Sequence, residues 1–309
     1  MAPTFLITGA TGSQGGATAR ILLSQNAAVH VLVRDTKSPA SQSLQKAGAI
    51  IFQGDFDDTI AIKAAITGVS GIFLNPFPAA DPEVQVRQAQ NFIDAAIASK
   101  TVETIVLSTA FFTGSRDIWG STDPRLGLLA YYSQKAEIED AVRSAGLQNH
   151  TILRPGFLMQ NYLLPQAAFL TPELSSEGEI AHVYEKGTKM PHVDAADIGK
   201  FAAAALLEPD KFRGEEIELG NENLTIEEVA GTMKEISGVE VAIRKRSEEE
   251  ARRVWDIAPT LRFQRMANEK DLSINGMALT ERYGIRLTSF EEFLAREKEV
   301  LIKSISRQK

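Results

Sequence analysis

The chain begins with an apolar run, Phe5-Leu6-Ile7-Thr8, that gives way to Gly9-Ala10-Thr11-Gly12-Ser13-Gln14-Gly15. Apolar residues then recur at helical spacing (Ala17, Ala19, Ile21, Leu22, Leu23), and a second apolar run from Val29 to Val33 ends in Arg34. The pattern predicts strand, glycine turn, helix and strand. The alternation continues, with strands over 49–53, 71–74, 103–108 and 151–153 and helices over 59–66, 82–99 and 131–145. Strands alternating with helices predict a parallel sheet covered on both faces, with ligands beyond the carboxyl ends of its strands. The residues ending each strand are therefore site candidates.

After Pro155 the rhythm breaks, and residues 156–191 mix aromatic, proline and glycine with little periodicity. A helix over 195–207 and a strand over 216–219 return to the sheet. From Thr225 the chain is charged and helix-rich, with helices over 226–237, 248–255 and 290–302, a strand over 239–243 and a frayed end from Ser304 to Lys309. The expected architecture is α/β, a Rossmann-type doubly wound parallel sheet with a smaller, mainly helical lobe. Residues 1–155 plus about 192–221 form the sheet domain; about 156–191 plus 222–309 form a discontinuous second lobe.

The first turn carries the clearest chemistry. Gly9 allows the tight turn, Gly12 lets the backbone approach a pyrophosphate, and Gly15 lets the helix pack on the strand while its N-terminus faces the phosphate charge. This reads as a dinucleotide site. Arg34, 19 residues past Gly15, stands where the second strand meets the adenosine ribose, and an arginine there pairs with a 2′-phosphate; Lys37 adds a second cation. Asp35 keeps a ribose-binding acid in play, but NADP(H) is favoured over NAD(H).

Composition narrows the rest. Among 309 residues, 44% are hydrophobic and 24% charged, the proportions of an ordinary soluble globular protein. A formal charge of −7 argues against broad nucleic-acid or anionic-membrane binding. No apolar run is long enough to span a membrane, and the uncharged start does not read as a signal peptide, so the cytoplasm is the default compartment. Without cysteine there is no disulfide, thiol nucleophile or thiolate metal site, and the four histidines lack ligand spacing. No metal is expected.

Taken together, ITGATGSQGG at 7–16, VLVRD at 31–35, GDFDD at 54–58, IVLSTAF at 105–111, YYSQKAEIE at 131–139, LRPGFLMQNYL at 153–163 and HVDAADIGKFAAAAL at 192–206 resemble the NmrA-like branch of the atypical short-chain dehydrogenases/reductases. The matching words cover about two-thirds of the chain; the last 85 or so residues add little. The resemblance implies NADP(H) in a cleft beside a substrate lobe. It puts Thr11, Gly12, Ser13 and Gln14 on the pyrophosphate and Arg34 and Lys37 on the 2′-phosphate. Asp55 and Phe56 then border adenine, Asn75-Pro76-Phe77 lies along the cofactor, Lys135 holds the nicotinamide ribose, and Phe157 joins the cofactor set. Residue by residue, Asp55 also reads as a helix N-cap, a role that Asp57 and Asp58 fill equally well, and Asn75-Pro76-Phe77 as a plain turn.

In the wider superfamily a tyrosine and a lysine four residues later transfer a proton, and Tyr131 and Lys135 have that separation on one helix face. The lysine cation favours tyrosinate, lowering the phenol toward working pH. The other reading leaves only Lys135 functional. A third hydroxyl, polarising the substrate, falls on Ala110 in the superfamily register, so Thr109 is the candidate replacement, with Ser108 and Thr113 as alternatives; Ser108 and Thr109 read equally well as plain strand-end hydrogen bonds. Phe111, Phe112, Tyr132, Met159 and Tyr162 are candidate substrate contacts, with Leu158 and Leu163 beside them, and imply an apolar or aromatic small molecule. Arg154 reads as paired within the sheet end. The leading function is an NADPH-dependent reductase of a carbonyl, quinone, imine or activated double bond. The runner-up is a non-catalytic redox sensor that grips a protein partner, and an isomerase or lyase on the same fold is a third reading.

Overall fold

The computed structural model describes residues 3–77, 81–120, 122–123, 126–255 and 258–305. It divides into two compact units. The first comprises Met1–Gly114, Ala130–Pro155 and Ala195–Glu218, and the second Ser115–Leu129, Gly156–Asp194 and Leu219–Lys309.

The first unit begins with β1 (Thr4–Ile7), α1 (Ser13–Ser24), β2 (Ala28–Val33), α2 (Pro39–Lys46) and β3 (Ile50–Gln53). It continues through α3 (Thr59–Ile66), β4 (Gly71–Leu74), α4 (Pro82–Ser99) and β5 (Thr104–Ser108). It closes with α5 (Leu128–Ser144), β6 (Asn149–Pro155), α6 (Ala195–Leu207) and β7 (Glu216–Leu219). These strands make one sheet in the order β7-β6-β5-β4-β1-β2-β3. The pairs from β6 through β3 are parallel. At the edge, Gly214 donates to His150 and Ile152 to Glu215, so β7 advances with β6. The order reverses between β1 and β4, the switch point at which doubly wound sheets bind ligands.

Burial on both faces explains the runs of Val, Ile and Leu in β1, β4 and β5. One face packs Ile62, Ile66, Phe92, Ile93, Ile138 and Val142 against Leu6, Ile72, Ile105 and Ile152. α1 and α6 approach so closely that a Cβ on Gly199 would lie 2.7 Å from that of Ala17.

In the second unit, Met190–Val193 pairs antiparallel with Glu222–Leu224 and parallel with Phe157–Leu158. Glu179–His182 pairs parallel with Ala242–Lys245. Short helices follow, three of them opened by capping boxes at Thr225, Ser247 and Ser289.

Three expectations for this half change. The strand placed at 239–243 lies at Ala242–Lys245, because the preceding helix ends in the left-handed Gly238 and Val239 is still tied to Ser237. The helix over 290–302 is two, Phe290–Arg296 and Lys298–Ile305, parted at Glu297. Ser304 is fully buried, donating to the Val300 carbonyl and accepting from the Leu164 amide, so the frayed end does not start at Ser304; 306–309 lie outside the described residues. Among the described residues no helix is long and apolar enough to cross a membrane, and no cluster of metal-ligating side chains occurs.

Candidate active site

At the switch point the first unit builds a cradle from backbone. Thr8 Oγ1 donates to the Phe73 carbonyl and accepts from the Asn75 amide, stitching the ends of β1 and β4 together. Gly9 turns the chain at φ +61°, a conformation L side chains rarely adopt. A Cβ on Gly15 would stand 2.4 Å from the Thr8 carbonyl oxygen, so only glycine lets α1 start this close to β1. Gly12 caps α1 with no side chain, and no acid lies in its first turn. By contrast α2, α3 and α4 carry Ser38, Asp58 and Asp81 on their first amides. The α1 amides are thus left to an anion from outside the helix, with the helix dipole favouring it. Thr11 and Gly12 are exposed, and Ser13 and Gln14 half-buried. The Gln14 side chain is anchored by a 2.7 Å bond from Ser108 at the end of β5.

Arg34 and Lys37 are exposed past β2, and Arg34 makes no ion pair among the described residues. Asp35 is occupied in local structure. Its carboxylate accepts from the Lys37 amide at 2.8 Å, and its carbonyl from Ser38 and Ser41. Past β3, Asp58 is the N-cap of α3, while the Asp55 carboxylate accepts from the amides of Asp57 and Asp58. Asp57 pairs with Arg87. Phe56 is half-buried, edge-on to Phe92 at 4.8 Å. Past β4, Asn75 is half-buried with its amide beside Gly9, Pro76 is buried with its carbonyl held by Gln85, and Phe77 is exposed.

Tyr131 and Lys135 share one face of α5, with the Lys135 Nζ 5.0 Å from the centre of the Tyr131 ring. The geometry corrects one expectation. The ammonium sits against the phenol's ring, and desolvation pushes the Tyr131 hydroxyl well above its usual range rather than toward neutrality. Lys135 is only 4% exposed, and no hydrogen-bond acceptor among the described residues meets its Nζ. Burial lowers it to about 8, opposed by the negative charge of Glu139. A buried ammonium of this kind costs free energy unless something accepts from it, and ribose hydroxyls are suitable acceptors. The open amides of α1 and this cation both fit a phosphorylated, hydroxyl-rich nucleotide.

The hydroxyls at and just past the end of β5 are hydrogen-bonded within the fold. Ser108 donates to Gln14, Thr109 to Glu139 at 2.7 Å, and Thr113 to the Ala110 carbonyl. Each hydroxyl has one proton and has committed it, so Thr109 is withdrawn from the catalytic set. Among the apolar candidates Tyr132 and Met159 are fully buried, and Tyr162 and Phe111 nearly so, and they serve as packing. Phe112 and Phe157 remain half-exposed. In the second unit Tyr162 bonds His192 at 3.1 Å, and His192 in turn bonds the Met190 carbonyl.

Three carboxylates escaped sequence reasoning. Arg154 of β6 holds Glu139 through Nε at 3.0 Å and Nη2 at 2.6 Å, and also meets Glu216 and Glu218 of β7. Arg143 bridges Glu139 and Glu216 from α5. Glu139 lies four residues past Lys135, a spacing that gives it away; the β7 acids carry no such mark.

The NmrA-like family model matches residues 1–294, and the chain belongs to that family. An NmrA-like family domain-containing oxidoreductase of Aspergillus japonicus is 29% identical over 168 residues, 52% of this chain and 49% of the relative, so the match spans about half of that protein's length. The structure of an Escherichia coli NADPH-dependent quinone oxidoreductase in complex with NADPH is similar at TM-score 0.75 and 23% identity, covering 95% of this chain and 99% of that one. That of NmrA, a negative transcriptional regulator, in complex with NADP matches at TM-score 0.75 and 17% identity, covering 96% and 97%.

Proposed function

We propose that this chain is an NADP(H)-dependent oxidoreductase of the short-chain dehydrogenase/reductase type, reducing a carbonyl, quinone, imine or activated double bond of an apolar small molecule. The buried, acceptor-less Lys135 one turn beyond Tyr131 carries the reading; a family in which relatives are named oxidoreductases supports it. In this reading the first unit is the cofactor-binding domain and the second the substrate lobe. The α1 amides with Thr11, Ser13 and Gln14 take the pyrophosphate, and Arg34 and Lys37 the 2′-phosphate. Asp55 and Phe56 border the adenine, Asn75 to Phe77 line the cofactor, and Phe112 and Phe157 offer apolar surface. NADPH supplies the hydride. Lys135 binds the ribose hydroxyls and thereby recovers the cost of its burial. Tyr131, held protonated by desolvation, donates its proton to the atom that gains negative charge.

The test is NADPH oxidation with a panel of quinones and aromatic ketones. Tyr131→Phe lowers kcat/KM by roughly 100-fold or more while the NADPH Kd holds. No turnover with any compound sinks the reading. One observation favours a sensor instead: the Ser108, Thr109 and Thr113 hydroxyls are engaged within the fold, and Ala110 is buried where the superfamily places the third group. A sensor shows NADP(H)-dependent partner affinity without turnover.

A further inference from the structure

Among the described residues past β5, Phe112 is the only non-glycine residue held at positive φ, +58°. This backbone conformation is unfavourable for an aromatic residue and persists where neighbours over-determine it. The Phe112 amide donates to Glu218 Oε2 at 2.7 Å, the flanking Phe111 amide donates to the Pro155 carbonyl at 3.0 Å, and Gly114 lies on the Arg154 guanidinium, where a Cβ would come within 2.5 Å of Nη1. Glu218 is itself steered by Arg154, 3.4 Å from its other oxygen.

We propose that Glu218 is a positioning residue: its carboxylate latches the 110–114 loop through the Phe112 amide and so fixes where the half-exposed Phe112 ring stands for substrate. The substrate part rests on the reductase reading above; the latch does not. The charged and titratable groups facing Glu218 are Arg154 on β6, Glu139 and Tyr132 on α5 and, along its own strand, Glu216 with its partner Arg143. Burial outweighs the Phe112 amide and the arginine and raises Glu218 to about 7. Above that pH the ionised oxygen is the stronger acceptor for the Phe112 amide, and below it the protonated carboxyl is the weaker one.

Hydrogen exchange of the 110–114 amides, corrected for intrinsic rates and read by mass spectrometry between pH 6 and 8.5, tests the latch. Wild-type exchange is expected to speed up as pH falls through about 7. In Glu218→Gln, which keeps the shape, it becomes pH-independent, and in Glu218→Ala it is roughly tenfold faster throughout. Should the alanine variant fail to fold, the glutamine variant decides. Wild-type exchange that is flat with pH and matched by Glu218→Gln overturns the proposal. With any substrate that turns over, Glu218→Gln raises KM several-fold and leaves kcat within about twofold; an unchanged KM removes the role in placing Phe112. A panel with no turnover refutes the reductase reading and leaves the exchange result to judge the latch.

Discussion

Lys135 shows how a residue proposed to hold the cofactor weakens the fold that carries it. Its pKa falls from 10.5 to about 8 on folding, so between those values the unfolded chain binds the extra proton and stability rises with pH. Below pH 8 the folded state holds a buried charge at a cost that Glu139 only partly offsets. Lys135→Met is therefore expected to raise the ligand-free stability at pH 7 by roughly 1–3 kcal/mol in urea titrations, to flatten the rise between pH 8 and 10.5, and to weaken NADPH binding. A variant less stable than wild type at pH 7 contradicts the desolvated-cation picture. The lysine was legible because its chemistry travels with a local spacing. Glu216 and Glu218 were not, since their meaning comes from Arg154, which lies more than 60 residues earlier and is met only through β6–β7 pairing.

At the scale of elements, α1 differs from its neighbours in lacking a side chain on its first amides. Gly12→Asp supplies one. The new Cβ meets the Gly9 oxygen at 3.3 Å, a small adjustment, and the carboxylate suits a helix N-terminus. The expected outcome is a melting temperature within a few degrees of wild type together with an NADPH affinity lower by on the order of 100-fold, as a fixed anion occupies the phosphate's place. Isothermal titration and thermal melting read the two effects separately; affinity that survives would remove this turn as the pyrophosphate site. Most strands and helices of the first unit were readable because burial on one or both faces writes a period into them. α2 was missed because Leu44 is its one large buried side chain, and the helix is started by Ser38 and Pro39 rather than by an apolar stripe. The short strands of 156–191 were missed for a similar reason: two to four residues are too few to show a period.

For the whole molecule, nucleotide binding is linked to stability. A ligand that binds only the folded chain raises the unfolding free energy by about 2.7 kcal/mol at 100 times its Kd. Saturating NADPH is expected to raise the melting temperature by several degrees and NADH at the same concentration by less, a gap that closes in Arg34→Ala. Equal shifts in the wild type would move the 2′-phosphate elsewhere. The family was within reach of the sequence through its motif words, and the α/β class because a doubly wound sheet repeats one pattern; the strand order came only from the structure. The second unit, built from three separated stretches and capped locally, offered no such repeat.

The edge strand β7 also has a consequence for biosynthesis. A nascent chain that has emerged only as far as Pro155 has made β1 through β6 but not the strand that covers the open side of β6, nor the acids that finish Arg154's shell. Unpaired strand edges invite association with other chains. Until the ribosome has delivered residue 219, the growing polypeptide carries an adhesive flank, and pausing or premature termination in that interval would favour aggregates over folded product.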